Sequence, residues 1–103
     1  MKDGAHEVTV EIKNADGLHM RPAMHFVDVA STFKSDIQVT HGDTTADAKS
    51  IMQMTMLAAA CGAHLTIRAR GPDAAQAIEV LREVVEQGLS GEPSQAADER
   101  GDG

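Results

Sequence analysis

The strongest constraint on how this chain folds is a set of short runs in which apolar and polar residues alternate one for one. Val8, Val10 and Ile12 alternate with Thr9 and Glu11, Ile37 and Val39 with Gln38 and Thr40, and Leu65, Ile67 and Ala69 with Thr66, Arg68 and Arg70. Alternation of this kind describes strands with one face buried and the other in water. Parallel sheets, covered on both faces, read instead as continuous apolar runs. The sheet is therefore expected to be antiparallel, with all of its cover on one side.

The segments between these runs have helical spacing and supply that cover. From Met20 to Phe33, Ala23, Phe26, Val27, Ala30 and Phe33 share one face. Ser50 to Ala59 reads as a second, shorter helix with Ser50 at its N-terminus. Ile51, Met54, Leu57 and Ala58 cluster on its inner side, and Met52 and Met56 lie nearly opposite. After Gly71-Pro72-Asp73, a third helix carries Ala74, Ala77, Ile78, Leu81, Val84 and Val85, and Gly88 stops it. His41-Gly42-Asp43 turns the Ile37 strand into a partner at Thr44 to Ala48. The order is β-α-β-β-α-β-α. This is an α+β, open-faced two-layer sandwich, a four-stranded antiparallel sheet covered on one face by three helices. A ferredoxin-like fold shares the first six elements and is the structural alternative.

A chain of 103 residues has room for one domain. Residues 1–88 are expected to form it. Residues 89–103 lack periodicity and carry Glu92, Asp98, Glu99 and Asp102 against Arg100 alone, so they read as an acidic, disordered tail. The formal charge of −7 argues against a nucleic-acid partner, which would call for clustered Lys and Arg. No run approaches the roughly 18 apolar residues of a membrane span, and no basic segment precedes an apolar one as in a secretory leader. A cytoplasmic protein without membrane insertion is expected. Cys61 is the only cysteine, which excludes an internal disulfide and a cysteine-based zinc site. Its place at the end of an apolar run suggests a small core residue.

The chemistry concentrates in Gly17-Leu18-His19-Met20-Arg21-Pro22-Ala23. Here a histidine and an arginine lie two residues apart where a turn gives way to the first helix. Helix-initial amides have no partner within the helix and, with the macrodipole, favour a bound anion. Pro22 suits the first turn, where its missing N–H costs nothing. A neutral imidazole nitrogen can attack a phosphoryl group, and a fixed guanidinium can hold the charge that spreads over the transferring oxygens. His19 and Arg21 are therefore the candidate catalytic residues. His6, His25, His41 and His64 have no such context, and a metal site pairing His19 with His25 is disfavoured by their spacing. No cofactor is called for.

This motif resembles the active-site segment of HPr, the histidine-containing phosphocarrier family of the bacterial sugar phosphotransferase system. Asp47-Ala48-Lys49-Ser50-Ile51-Met52 is similar to the segment around that family's regulatory serine, and the order of elements agrees from His6 to about Gly88. The resemblance implies phosphorylation of His19 at Nδ1 from phosphoenolpyruvate by way of enzyme I. The phosphoryl group would then pass to an enzyme II A domain, so the protein would be a carrier and not an enzyme. It also implies phosphorylation of Ser50 by an HPr kinase/phosphorylase, a transcriptional regulator as a further partner, and a monomeric state. Met20, Ile51, Met52 and Met56 would form the apolar centre of the docking face, with Arg21 at its rim. Where family members often present lysine on the first helix, this chain has Asp28 and Ser31. The rival reading is a regulatory HPr-like binding module acting through Ser50 and the Met-rich face without a transport role.

Overall fold

The computed structural model describes residues 5–15, 17–18 and 20–89. His19 and the stretch 90–103 lie outside the described residues, so the expectation of an acidic disordered tail falls there. The elements are β1 (Ala5–Glu11), α1 (Met20–Ala30), β2 (Asp36–His41), β3 (Thr44–Asp47), α2 (Ile51–Met56), β4 (His64–Arg70) and α3 (Ala74–Glu86). The sheet order is β1-β4-β2-β3, and every neighbouring pair is antiparallel. This is the expected open-faced sandwich.

The register explains why alternation was so informative. Val8 faces Ile67, Val10 faces Leu65, and Val39 faces both Ile67 and Ala46, so the apolar residues form continuous rows on one face. On the other face Thr9, Thr66, Thr40 and Thr45 fall in one row across the four strands, with hydroxyl contacts between Thr9 and Thr66 at 3.2 Å and between Thr40 and Thr45 at 3.0 Å. The core lies between the apolar face and the buried stripes of the helices. Ala23, Phe26 and Ala30 come from α1, Met54 from α2, and Ala74, Ala77, Ile78, Leu81 and Val85 from α3. No described helix is long and apolar enough to cross a membrane.

Four expectations need correction. Leu89 belongs to the domain and not to the tail: it is buried, and its N–H donates to Val84 O at 3.0 Å across Gly88, whose φ of 85° lets the chain close α3 in this way. The first helix ends at Ala30, and Phe33 packs half-buried against the core from the turn that follows. Helix α2 stops at Met56, so Ala58, expected on its inner side, is exposed with a φ of 50° while Ala59 is buried. Cys61, expected in the core, is exposed in the turn beyond it.

Candidate functional site

Although His19 itself is outside the described residues, the chain on either side of it is firmly held. Gly17 N–H donates to Asn14 O at 3.1 Å, and Asn14 Nδ2 donates to Gly17 O at 2.6 Å. Leu18 is buried, and its N–H donates to Ala59 O at 2.8 Å. Gly17 has a φ of 74°, and a Cβ added there would sit 2.6 Å from Ala59 O and 2.9 Å from Ala60 Cα. Only glycine lets the two loops approach this closely. Below this contact, Ile12 N–H donates to Ala63 O and Gly62 N–H to Ile12 O, each at 2.8 Å. The segment leading to His19 is thus tied by backbone to the segment that leaves α2.

On the far side of His19, α1 begins at Met20. Arg21 is exposed in the first turn, Pro22 is buried, and the turn contains no acidic residue that would compete with a bound anion. Pro22 has no N–H, so the unpaired amides of this turn belong to its other residues.

Helix α2 packs against α1. Ser50 is its N-cap, half-buried and extended, with its hydroxyl accepting from Gln53 N–H at 3.3 Å. Asp47 N–H donates to Gln53 Oε1 at 2.8 Å, Lys49 N–H donates to Asp47 Oδ1 at 2.9 Å, and Lys49 Nζ donates to Phe33 O at 2.8 Å. The expected cap is present, and its neighbours are held by two local bonds and by the bond from Lys49 to Phe33. The helical wheel also holds within the helix: Met54 is fully buried, Met52 is 75% exposed and Met56 69% exposed. Ile51 is half-buried against the core, so it sits at the edge of the exposed surface. Met20 and Arg21 are exposed on α1, as expected.

Three features were missed by sequence reasoning. Met24 is half exposed, one turn beyond Met20 and off the buried stripe of α1; the i,i+4 spacing was the available signal. His41, given no role, donates from Nδ1 to Leu57 O at 2.9 Å and fastens the β2–β3 hairpin to the end of α2. At the opposite end of the molecule, Asp73 accepts from Lys34 N–H at 2.9 Å, Ser35 N–H at 2.9 Å and Ser35 Oγ at 2.6 Å. The Ser35 hydroxyl, then the backbone amide of Lys34, hold this carboxyl well below its ordinary 3.8, at about 2. No sequence pattern links residues this far apart.

A shallow hollow lined by Asp36, Gln38, Arg68 and Arg70 lies on the solvent face of the sheet, opposite the helices. It has no part in the site. Among the described residues, no group of three or more His, Cys, Asp and Glu is placed to hold a metal ion.

Comparison with known proteins agrees with this architecture. A family model, "PTS HPr component phosphorylation site", matches residues 6–87. The chain is 49% identical over 72 residues to phosphocarrier protein HPr of Haemophilus influenzae, covering 70% of this chain and 85% of that protein. It is 39% identical over 81 residues to phosphocarrier protein NPr of Proteus mirabilis, covering 78% of this chain and 90% of that protein. The crystal structure of HPr-C-His from Thermoanaerobacter tengcongensis superposes with a TM-score of 0.78 at 42% identity, over 82% of this chain and 94% of that one. The fold is therefore HPr-like, and the ferredoxin-like alternative is set aside.

Proposed function

The chain belongs to the HPr phosphocarrier family of the phosphotransferase system, and from that premise we propose that it accepts a phosphoryl group on His19 from enzyme I and passes it to an enzyme II A domain or similar acceptor. Each transfer forms a bond from a ring nitrogen of His19 to phosphorus as the bond to the donor breaks, the electron pair leaving with the donor. The reverse occurs at the acceptor. The protein is a carrier regenerated in each cycle. What it must contribute is position and charge, since the transferring group spreads its charge over its equatorial oxygens.

The observation that best supports this reading is the pairing of a backbone-anchored Leu18 with an exposed Arg21 in a helix-initial turn free of carboxylates, on either side of His19. Incubation with phosphoenolpyruvate and enzyme I tests it. Intact mass should rise by one phosphoryl group that acid removes, and His19→Ala should abolish the gain. An acid-stable adduct, or one that persists in His19→Ala, contradicts the reading.

Docking is assigned to the exposed face formed by Met20, Met52 and Met56, with Ile51 at its edge, Arg21 at its rim and Met24 as an extension. An apolar, deformable patch beside the reacting group suits a carrier that meets two different partners. Ser50 adds regulation, because its hydroxyl adjoins Ile51 and Met52 in sequence and, as the helix cap, accepts a long hydrogen bond from Gln53 N–H. Phosphorylation by an ATP-dependent kinase would place charge beside the docking face. Ser50→Asp should fold normally and accept phosphoryl groups from enzyme I more slowly. An unchanged rate leaves Ser50 as a helix cap.

A further inference from the structure

Among the described residues, every large apolar side chain that is exposed is a methionine: Met52 at 75%, Met56 at 69%, Met20 at 56% and Met24 at 50%. Leucine, isoleucine and phenylalanine, which would serve apolar contact equally well, are all at least partly withdrawn. The four occur as two pairs spaced by four residues, one on α1 and one on α2, and these helices pack together. Met54, between the members of the second pair, is completely buried. The chain therefore presents thioethers to solvent on two helices that pack together and keeps one out of reach within α2.

We propose that Met20, Met24, Met52 and Met56 form a reversible oxidation site, converted to sulfoxides by peroxide-class oxidants, and that this modification uncouples the carrier from its partners. The second half rests on the docking role assigned to this face above. In the oxidation step a sulfur lone pair attacks one peroxide oxygen, the O–O bond breaks and an S–O bond forms. Sulfur loses two electrons, and the other oxygen leaves as water. Reduction consumes two thiols per sulfoxide and yields a disulfide, water and the thioether, as in methionine sulfoxide reductases. A thioether has no proton to lose, so access to the sulfur sets reactivity. On that ground Met52 and Met56 should react first, Met20 and Met24 next and Met54 last.

The consequences separate fold from function. A sulfoxide on these side chains stays in water, so the domain keeps its stability. At an interface the same sulfoxide brings a strong acceptor into a patch that is desolvated on contact, and the group left without a donor weakens binding. Cys61 is the competing target, since it too is exposed. The sulfenic acid and disulfide forms of the thiol, unlike sulfoxides, are reversed by dithiothreitol alone, and its sulfinic and sulfonic acids are restored neither by dithiothreitol nor by methionine sulfoxide reductase.

The test treats the full chain with hydrogen peroxide, removes the oxidant, and reads three quantities: sulfoxide at each methionine by peptide mass spectrometry, thermal stability, and phosphoryl uptake from untreated enzyme I. Sulfoxide is expected at the four exposed positions and not at Met54, with an unchanged melting temperature and uptake slowed about fivefold to tenfold. Dithiothreitol should not restore uptake, whereas methionine sulfoxide reductase with its thiol should. In Met52→Leu/Met56→Leu the ratio of treated to untreated uptake, whatever the starting rate, should move towards one. Oxidation that spares the four positions or reaches Met54 equally overturns the proposal and leaves the docking reading intact. So does recovery with dithiothreitol alone, which assigns the effect to Cys61. Sulfoxide at all four positions with unchanged uptake also overturns it, and Met52→Asp then tells whether docking fails with it: slowed uptake in that variant keeps the docking face, unchanged uptake removes it.

Discussion

Two places in the molecule bring distant loops together, and they do so by different means. At the end that leads to His19, residues 12–18 meet residues 59–63 through backbone bonds, with Gly17 pressed against Ala59. At the opposite end, residues 34–35 meet residues 71–73 through the Asp73 carboxylate, and Gly71 is pressed against Ser35, where an added Cβ would lie 2.6 Å from Ser35 Oγ. The perturbed carboxyl lies at this second end, away from the proposed chemistry. A strongly shifted group is often a sign of a functional site. Here it marks a structural clasp, whereas the end that leads to His19 joins its two loops chiefly through backbone bonds.

The largest effect should come from a residue of neither contact, Met54, which is fully buried in the core. Met54→Asp puts an unpaired charge in the core and should cost more than about 4 kcal/mol, enough to unfold the domain by circular dichroism. Next are the two glycines. Gly17→Ala and Gly71→Ala should each cost about 2–4 kcal/mol through the close approach and the positive φ. Of the two, only Gly17→Ala should also slow phosphoryl uptake in the fraction that remains folded. Met52→Asp should leave the melting temperature unchanged and weaken partner binding, read by titration with enzyme I. If Met52→Asp unfolds the chain and Met54→Asp does not, the two faces of α2 are reversed.

The clasp makes a pH prediction with a definite sign. The Asp73 carboxyl is lowered from 3.8 to about 2 in the folded chain, chiefly by the Ser35 hydroxyl and then the Lys34 amide. Its contribution is fully present above the unfolded value and lost as pH falls through the folded one. Between pH 3.8 and about 2 the parent should therefore lose more stability than Asp73→Asn, as read by acid titration followed by circular dichroism. Parallel curves would remove Asp73 from the clasp. The smallest expected effect is at Ala58, whose φ of 50° costs an alanine more than a glycine. Ala58→Gly should stabilise by on the order of 0.5 kcal/mol, measurable as a raised melting temperature.

The two ends also differ in how much the sequence disclosed. Strand faces, helix stripes and the His-x-Arg-Pro segment are local patterns, and the observed register and the burial of Met54 follow from them. The errors at Ala58 and Cys61 differ in cause: Cys61 reads as inward because it ends an apolar run, which here runs out into an exposed turn, and Ala58 because the helix was extended too far. Helical spacing was continued beyond Met56, where the chain turns out of the helix at Ala58, so Ala59 and not Ala58 points inward. The clasp of Asp73 with Ser35 and the bond from His41 to Leu57 join residues far apart in sequence, and no periodicity in one chain encodes such a pair. Gly17 was legible as a turn, but its role as the contact that seats the site loop on Ala59 emerges only from the packing.

The central claim is that one end of the molecule transfers phosphoryl groups and the other holds the fold, and a single paired measurement tests it. Arg21→Ala and Asp73→Ala are compared for melting temperature and for the rate of phosphoryl uptake from enzyme I, at a temperature where both variants are folded. Arg21→Ala should slow uptake at least about tenfold with an unchanged melting temperature, and Asp73→Ala should melt several degrees lower with unchanged uptake. An Asp73→Ala variant that is folded yet accepts phosphoryl groups as slowly as Arg21→Ala, or an Arg21→Ala variant that accepts them at the parent rate, would contradict the account.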